Sequence, residues 1–400
     1  MLARDFPPGN IPMDQNLVAF PQPAILETAE PARLGLRQEA LDRLCAIIEG
    51  HIADNHYPGA QVAVARHGKL ALYRSFGAAR LEPERVAAGP DTLWLMYSNT
   101  KVVTAAAIWV LVEDGALTFH DRIADHVPEF ARHGKGDITL LQVLTHQGGF
   151  PSAAQPMPAA AWDDHALLRQ QVCDFTLEWT PGSRLFYHSA AAHWTAAVLI
   201  EAITKTDYRD FIRTRVIEPL GLGHELFVGL PDAQSARAAE MHEPKDGQQA
   251  RMPVENSDAF RRAGVPGGGG YGTARALAAF YQALVQGGRL NGGPRLVSRR
   301  MMEYVTRNYT EERVDGAMGM PMHRGLGPHV RGTTPLIRGL GSIASPRTFG
   351  HGGVGSSYCW ADPDSGLSFA YFTNSRVPDP WHSRRLDIIS SCAHAAIEEL

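Results

Sequence analysis

The sequence predicts an α+β fold in which both ends of the chain build one antiparallel sheet and a mainly helical middle lies beside it. Three observations carry this reading. Strand-like runs occur near both termini, at residues 61–66, 70–76, 356–361 and 367–373. Helical patterns dominate from Ser98 to about residue 300. No internal repeat divides the 400 residues, so the two strand-bearing ends are expected to meet in one sheet with the helical part inserted between them. The expected division is an extended arm over 1–35, a sheet part from 36–90 and 335–400, and a mainly helical part over 91–334.

The elements follow in order. The first 35 residues are rich in proline and lack periodicity. Leu41, Leu44, Ile48 and Ile52 then recur at helical spacing within 38–55, ahead of Pro58-Gly59. The next two strand runs are separated by His67-Gly68-Lys69, a hairpin signal. Residues 98–113, SNTKVVTAAAIWVLVE, are apolar nearly all round and predict a buried helix. Further helices are expected at 194–204 and 208–217, the latter closed by Pro219. Residues 232–263 are polar and aperiodic and suggest a surface loop or flap, and 313–348 are rich in Gly and Pro. The last two strands flank the turn Asp362-Pro363-Asp364-Ser365-Gly366, and Leu386, Ile389, Ala393 and Ile397 mark a final helix over 384–400.

Composition narrows the function. Hydrophobic residues make up 44% and charged residues 20%, with a formal net charge of -4. Without a basic block there is no electrostatic footprint for nucleic acid or an anionic membrane. Cys45, Cys173, Cys359 and Cys392 form no C-x-x-C pair, which suits reduced thiols and gives no zinc spacing. The opening MLARDFPPGNIPMDQ has no charged and then apolar leader pattern, and the apolar run 190–203 is interrupted by His193, Trp194 and Glu201. These features predict a cytoplasmic protein with no membrane or nucleic-acid partner. No cluster has metal-ligand spacing; His188 and His193 are five apart, which is not one helix face.

The chemistry begins with Ser98-Asn99-Thr100-Lys101. Three residues apart on a helix puts the two side chains on one face. A serine hydroxyl needs a neighbour to take its proton, and lysine can do so only when burial lowers its pKa. Val102, Val103 and residues 105–108 supply the apolar setting. Ser98 at the helix start would also meet free N–H groups suited to an oxyanion. The second element is Tyr187-His188-Ser189; a tyrosine beside a lysine can serve as general base and acid. The third is His351-Gly352-Gly353-Val354-Gly355, where glycines in a strand allow close approach and the Val354 N–H is a candidate second oxyanion donor. A G-x-S-x-G elbow is absent, which argues against an α/β-hydrolase.

S-x-x-K, Y-x-S and H-G-G in this order resemble the β-lactamase-like serine hydrolase superfamily, and more closely the family VIII carboxylesterases related to class C β-lactamases. Pro58-Gly59-Ala60, residues 144–149 (LTHQGG), the glycines at 267–270 and Ala361-Asp362-Pro363 extend the likeness over roughly 35–400. The resemblance implies a β-lactamase/transpeptidase-like fold, with an antiparallel sheet sandwiched by helices, a helical lobe, and the site between them. It implies Ser98 as acylated nucleophile, Lys101 as general base or proton-relay partner, and Tyr187 as activator and proton donor to the leaving group. It also implies an oxyanion hole from the N–H groups of Ser98 and Val354.

Two departures bear on substrate. β-Lactamases carry asparagine where Ser189 stands, and lysine-threonine-glycine where His351-Gly352-Gly353 stands. With both replaced, a neutral histidine suits an uncharged ester better than a β-lactam carboxylate. The expected activity is therefore cofactor-free hydrolysis of a small-molecule carboxylic ester. An amidase or D-aminopeptidase, an acyltransferase, a weak β-lactamase and a non-catalytic binding protein on the same fold are the alternatives.

Overall fold

Alternation along the strands decides which helices cover each face of the sheet. The computed structural model describes residues 26–151, 157–337 and 339–398. Seven strands form the main sheet: β1 (Gly59–Arg66), β2 (Lys69–Arg80), β3 (Val86–Ala87), β4 (His329–Val330), β5 (Phe349–Gly353), β6 (Ser357–Asp362) and β7 (Leu367–Thr373). Their order is β4-β5-β6-β7-β1-β2-β3, and every neighbouring pair is antiparallel. The two ends of the chain meet where β1 pairs with β7, Val62 opposite Tyr371. His67 and Gly68, with φ of 52° and 75°, make the tight turn between β1 and β2.

Five helices position the site: α1 (Gln38–Ala53), α2 (Thr100–Glu113), α3 (Ala191–Thr204), α4 (Ala274–Val285) and α5 (Trp381–His394). Side chains alternate across a strand. Val62, Val64, Leu367, Phe369 and Tyr371 therefore pack into one core with α1 and α5. Ala63, Ala65, Ala370 and Phe372 point into the other, which continues into α4 and the helical lobe. The alanines let α4 lie close to the strands: Gln282 on α4 donates to Ala65 O at 3.0 Å, and Ser368 Oγ donates to Ala278 O at 2.9 Å. The fold is the α+β sandwich that the sequence predicts.

Several elements differ from expectation. The final helix stops at His394, because the chain then turns to pair with the start of the fold. Arg37 N–H donates to Ala396 O at 2.8 Å, and Leu36 bridges Ile397. Residues 26–35 are packed rather than an extended arm: Ala29 N–H donates to Leu70 O at 3.0 Å, and Pro31–Leu34 form a 3₁₀ turn. Residues 1–25 of that arm lie outside the described residues. The C-terminal contribution to the sheet already starts at β4, before 335. Residues 232–263 are not an aperiodic loop. They hold a hairpin, His242–Lys245 with Gln248–Arg251, and a helix, Asp258–Ala263, over a small core of Leu93, Leu95, Tyr97, Met241, Met252 and Tyr271. Asp246-Gly247 turns that hairpin with φ of 50° and 76°, and is the signal in the sequence that marks it.

Candidate active site

Residues 97–99 form a 3₁₀ turn that leads into α2, so Ser98 sits just ahead of the helix rather than inside it. Tyr97, before it, adopts a left-handed φ of 43°. Such a conformation is costly for a side-chain-bearing residue and is held here by its surroundings. Thr100 Oγ1 donates to Tyr97 O at 2.7 Å, and Asn99 Nδ2 donates to Met96 O and Ser357 Oγ at 3.0 and 2.9 Å.

Lys101, one turn on, is fully buried. Its Nζ lies 3.0 Å from Ser98 Oγ, 2.9 Å from Ser189 O and 2.7 Å from Gly267 O. An ammonium has three donors, and all three are used. Burial lowers the pKa of Lys101, against the opposing influence of Tyr187 and with that of Arg324. Once neutral, the amine keeps its two carbonyl acceptors and turns its lone pair to Ser98 Oγ without moving. Gly267 makes room for this: a Cβ there would stand 3.1 Å from Nζ.

Tyr187 donates its hydroxyl to Ser98 Oγ at 3.0 Å. The fold thus brings Ser98, Lys101 and Tyr187 together on one oxygen. The backbone around Tyr187 is fixed from two sides. His146, in a left-handed conformation, accepts the His188 N–H on Nδ1 at 3.1 Å and the Phe186 N–H on its carbonyl at 3.1 Å. Asp315 accepts the Tyr187 N–H at 3.0 Å and pairs with Arg324, whose guanidinium lies 4.8 Å from the Tyr187 ring centroid. Asp315 and Arg324 are wholly buried, and sequence reasoning missed both. They lie in the Gly- and Pro-rich stretch, where no periodicity marks a buried pair.

The third motif borders the turn that carries Ser98. A Cβ on Gly353 would stand 2.7 Å from Met96 O and 3.1 Å from Tyr97 Cβ, so β5 runs directly against the turn carrying Ser98. On Gly352 it would meet the Tyr358 ring at 2.7 Å. The sequence suggests a strand N–H at Val354, but β5 ends at Gly353, and Val354 instead opens the following turn and is 56% exposed. His351 is buried, with its ring centroid 6.1 Å from that of Tyr187. Its Nδ1 donates to Gly352 O at 2.8 Å, which leaves Nε2 without a proton. Burial first and nearby cations second hold His146, His193 and His351 well below the usual histidine pKa, and His188 is pushed down to about 4. All four are neutral near pH 7. Ser189 is exposed, and what it gives the site is its backbone carbonyl rather than its hydroxyl.

Of the aromatic residues, Trp94, Trp360 and Tyr371 are core, and Tyr97 packs in the small core under residues 232–263 with its hydroxyl donating to Glu255 Oε1 at 3.4 Å. The fold also gathers His165, Glu201 and Asp207, which the sequence spacing does not suggest as a metal set. Arg209 takes up Asp207 Oδ2 at 2.6 Å and meets His165 Nε2 at 3.2 Å, so a guanidinium already holds this cluster. Among the described residues no helix is long and apolar enough to cross a membrane.

Comparison with known proteins agrees with this geometry. A family model described as Beta-lactamase matches residues 44–391. The chain belongs to the β-lactamase family. "Esterase/beta-lactamase LipL" of Mycobacterium tuberculosis is 28% identical over 314 residues, covering 71% of this chain and 70% of that protein. Among solved structures, a penicillin-binding protein homologue from Caulobacter crescentus is 27% identical, with a TM-score of 0.76 over 90% of this chain and 99% of that one. A family VIII carboxylesterase is also 27% identical, with a TM-score of 0.74 over the same shares. The chain has the β-lactamase/transpeptidase-like fold and is a member of a family of hydrolases.

Proposed function

We propose that the protein is a serine carboxylesterase working through an acyl-Ser98 intermediate. The observation that carries this reading is the convergence of Lys101 Nζ and Tyr187 OH on Ser98 Oγ, each at 3.0 Å. Ser98 attacks the ester carbonyl and its proton passes to the Lys101–Tyr187 pair. The carbonyl oxygen becomes an oxyanion held by the Ser98 and Val354 N–H groups, where losing one donor costs ~3 kcal/mol. Tyr187 protonates the departing alcohol. Water then attacks the acyl-enzyme, losing its proton to the same pair, and Ser98 is regenerated.

Three features favour an uncharged ester over a β-lactam or peptide carboxylate. The buried, neutral His351 stands at the motif position where β-lactamases carry lysine. Arg376, beside the turn that holds Val354, is paired with Glu243 at 2.7 Å and faces Glu255 at 3.6 Å. Four exposed apolar side chains, Val254, Val314, Met318 and Val354, belong to the segments that hold Tyr97, Tyr187 and β5. The carboxylesterase and LipL likenesses support the same reading. One preparation assayed with p-nitrophenyl esters, a chromogenic cephalosporin and D-aminoacyl p-nitroanilides tests it. Ester turnover should exceed the others by orders of magnitude; faster turnover of the anilides or cephalosporin would replace esterase by amidase or β-lactamase.

A further inference from the structure

Arg385 lies on α5, on the far side of the sheet from the nucleophile, and is 1% exposed. No carboxylate pairs with it among the described residues. A buried guanidinium without a counter-ion is costly unless other groups replace water. Here the replacements are aromatic faces and backbone carbonyls. The rings of Tyr57, Trp381 and Tyr371 lie 5.0, 5.1 and 5.7 Å from its central carbon. Nη2 donates to Gly355 O at 2.9 Å and Ser356 O at 3.2 Å, with Thr373 Oγ1 at 3.3 Å and His382 Nδ1 at 3.2 Å. Nε and Nη1 have no hydrogen-bond acceptor among the described residues.

The two carbonyls are those of the turn that joins β5 to β6 and begins with Val354. That turn is held at several further points. Thr373 Oγ1 donates to Ser356 O at 2.8 Å, Val377 N–H donates to Gly355 O at 2.9 Å, and Ser356 N–H closes on Gly353 O at 3.1 Å. Gly355 has φ of 63°, and a Cβ there would stand 2.8 Å from the backbone of Arg376 and Val377. On its other side the strand presses on Met96 and Tyr97, beside Ser98. The turn is therefore gripped from α5 and β7 at one end and set against the nucleophile at the other.

We infer that Arg385, with Thr373 as its relay, is a positioning residue that aims the Val354 N–H at the oxyanion from outside the active site. This rests on the acyl-Ser98 reading, in which Val354 supplies the second oxyanion donor. Arg385 grips the two carbonyls that follow Val354, and a turn fixed in this way holds the Val354 N–H in place, with no reorganisation needed when the oxyanion forms. Loosening the turn should therefore slow acylation and leave ground-state binding alone.

The test uses Arg385→Gln and Thr373→Val in the full chain, with near-ultraviolet circular dichroism and thermal melts as controls for folding. Two rates are read: kcat and KM on a p-nitrophenyl ester, and the rate at which a fluorophosphonate labels Ser98. The second also develops negative charge on an oxygen, and does not depend on which acyl compound is the substrate. Arg385→Gln should lose about 10- to 100-fold in kcat and in labelling rate, with KM within threefold, and Thr373→Val about 3- to 10-fold. A folded Arg385→Gln protein with both rates within twofold of wild type overturns the inference. If that variant does not fold, Thr373→Val decides by the same criterion. Labelling at Ser98 without ester turnover in the wild type would instead count against the esterase reading, and the labelling rates would still judge Arg385.

Discussion

Removing the Asp315 carboxylate should strand a buried cation and release Tyr187 at once. The side chains of Arg324 and Asp315 are 2% and 0% exposed, and Arg324 Nε reaches Asp315 Oδ2 at 3.2 Å alongside a shorter contact from Nη2. Breaking one partner of such a pair typically costs 3–5 kcal/mol, because the remaining charge has no water to turn to. Asp315 Oδ1 also accepts the N–H groups of Tyr187 and Ala317, each at 3.0 Å. Both donors are only part-buried, so losing their acceptor adds less than the roughly 1 kcal/mol of a buried unsatisfied donor. Asp315→Ala is thus expected to cost at least ~3 kcal/mol in urea denaturation at unchanged slope. Asp315→Asn keeps an acceptor for both N–H groups but no charge, and should fall between Ala and wild type. Both should lower kcat on an ester, Ala more than Asn, since the Tyr187 backbone loses its anchor. A cost below ~1 kcal/mol for Asp315→Ala would refute the reasoning about the pair. A large stability loss with unchanged kcat would leave the pair structural and unconnected to Tyr187.

Other expectations follow from the same geometry. Lys101→Arg keeps a charge that cannot accept a proton, and Tyr187→Phe removes one hydroxyl while keeping the ring. Each should lose at least ~100-fold in kcat, and the double variant little more than either, as befits groups acting as one unit. Near-normal kcat for Tyr187→Phe would make it a packing residue. Because neutral Lys101 is the form able to accept the Ser98 proton, activity should fall as pH drops through its pKa. Burial lowers that pKa, so the acid limb should lie below the ordinary lysine range. A kcat profile still rising through pH 10.5 like an unperturbed lysine would contradict this. EDTA should leave turnover unchanged, since Arg209 holds the His165–Glu201–Asp207 cluster; loss in chelator restored by a divalent ion would overturn that.

What could be read from the sequence was local, or lay in the order of motifs. Ser98 and Lys101 are one helical turn apart, so their contact follows from spacing, and the alternation in β1 and β7 gives both the strands and their faces. Tyr187 is 89 residues from Ser98, and only its place in a motif series connects the two. Asp315 is 128 residues beyond Tyr187, in a segment whose regular structure amounts to two-residue strands. Its partners are set by tertiary packing, which leaves no periodic trace. Ser189 shows a different limit: the motif marks the position, yet the atom facing Lys101 is the backbone carbonyl, which any residue type supplies. The hairpin at 242–251 was legible in Asp246-Gly247 but was masked by the polar composition around it. Arg385 looks on paper like one more charge on an amphipathic terminal helix. Only the fold shows that it is buried against the turn carrying Val354.

The most direct test is to trap the covalent intermediate. Wild-type protein mixed with a slowly deacylating p-nitrophenyl ester is quenched in acid within the burst, and its intact mass and peptide masses are measured. One acyl group per chain is expected, on the peptide containing Ser98, with p-nitrophenol released in equal amount, and none on Ser98→Ala protein of unchanged thermal stability. An acyl group on another residue, or ester turnover persisting at the wild-type rate in Ser98→Ala, would contradict a mechanism centred on Ser98, Lys101 and Tyr187.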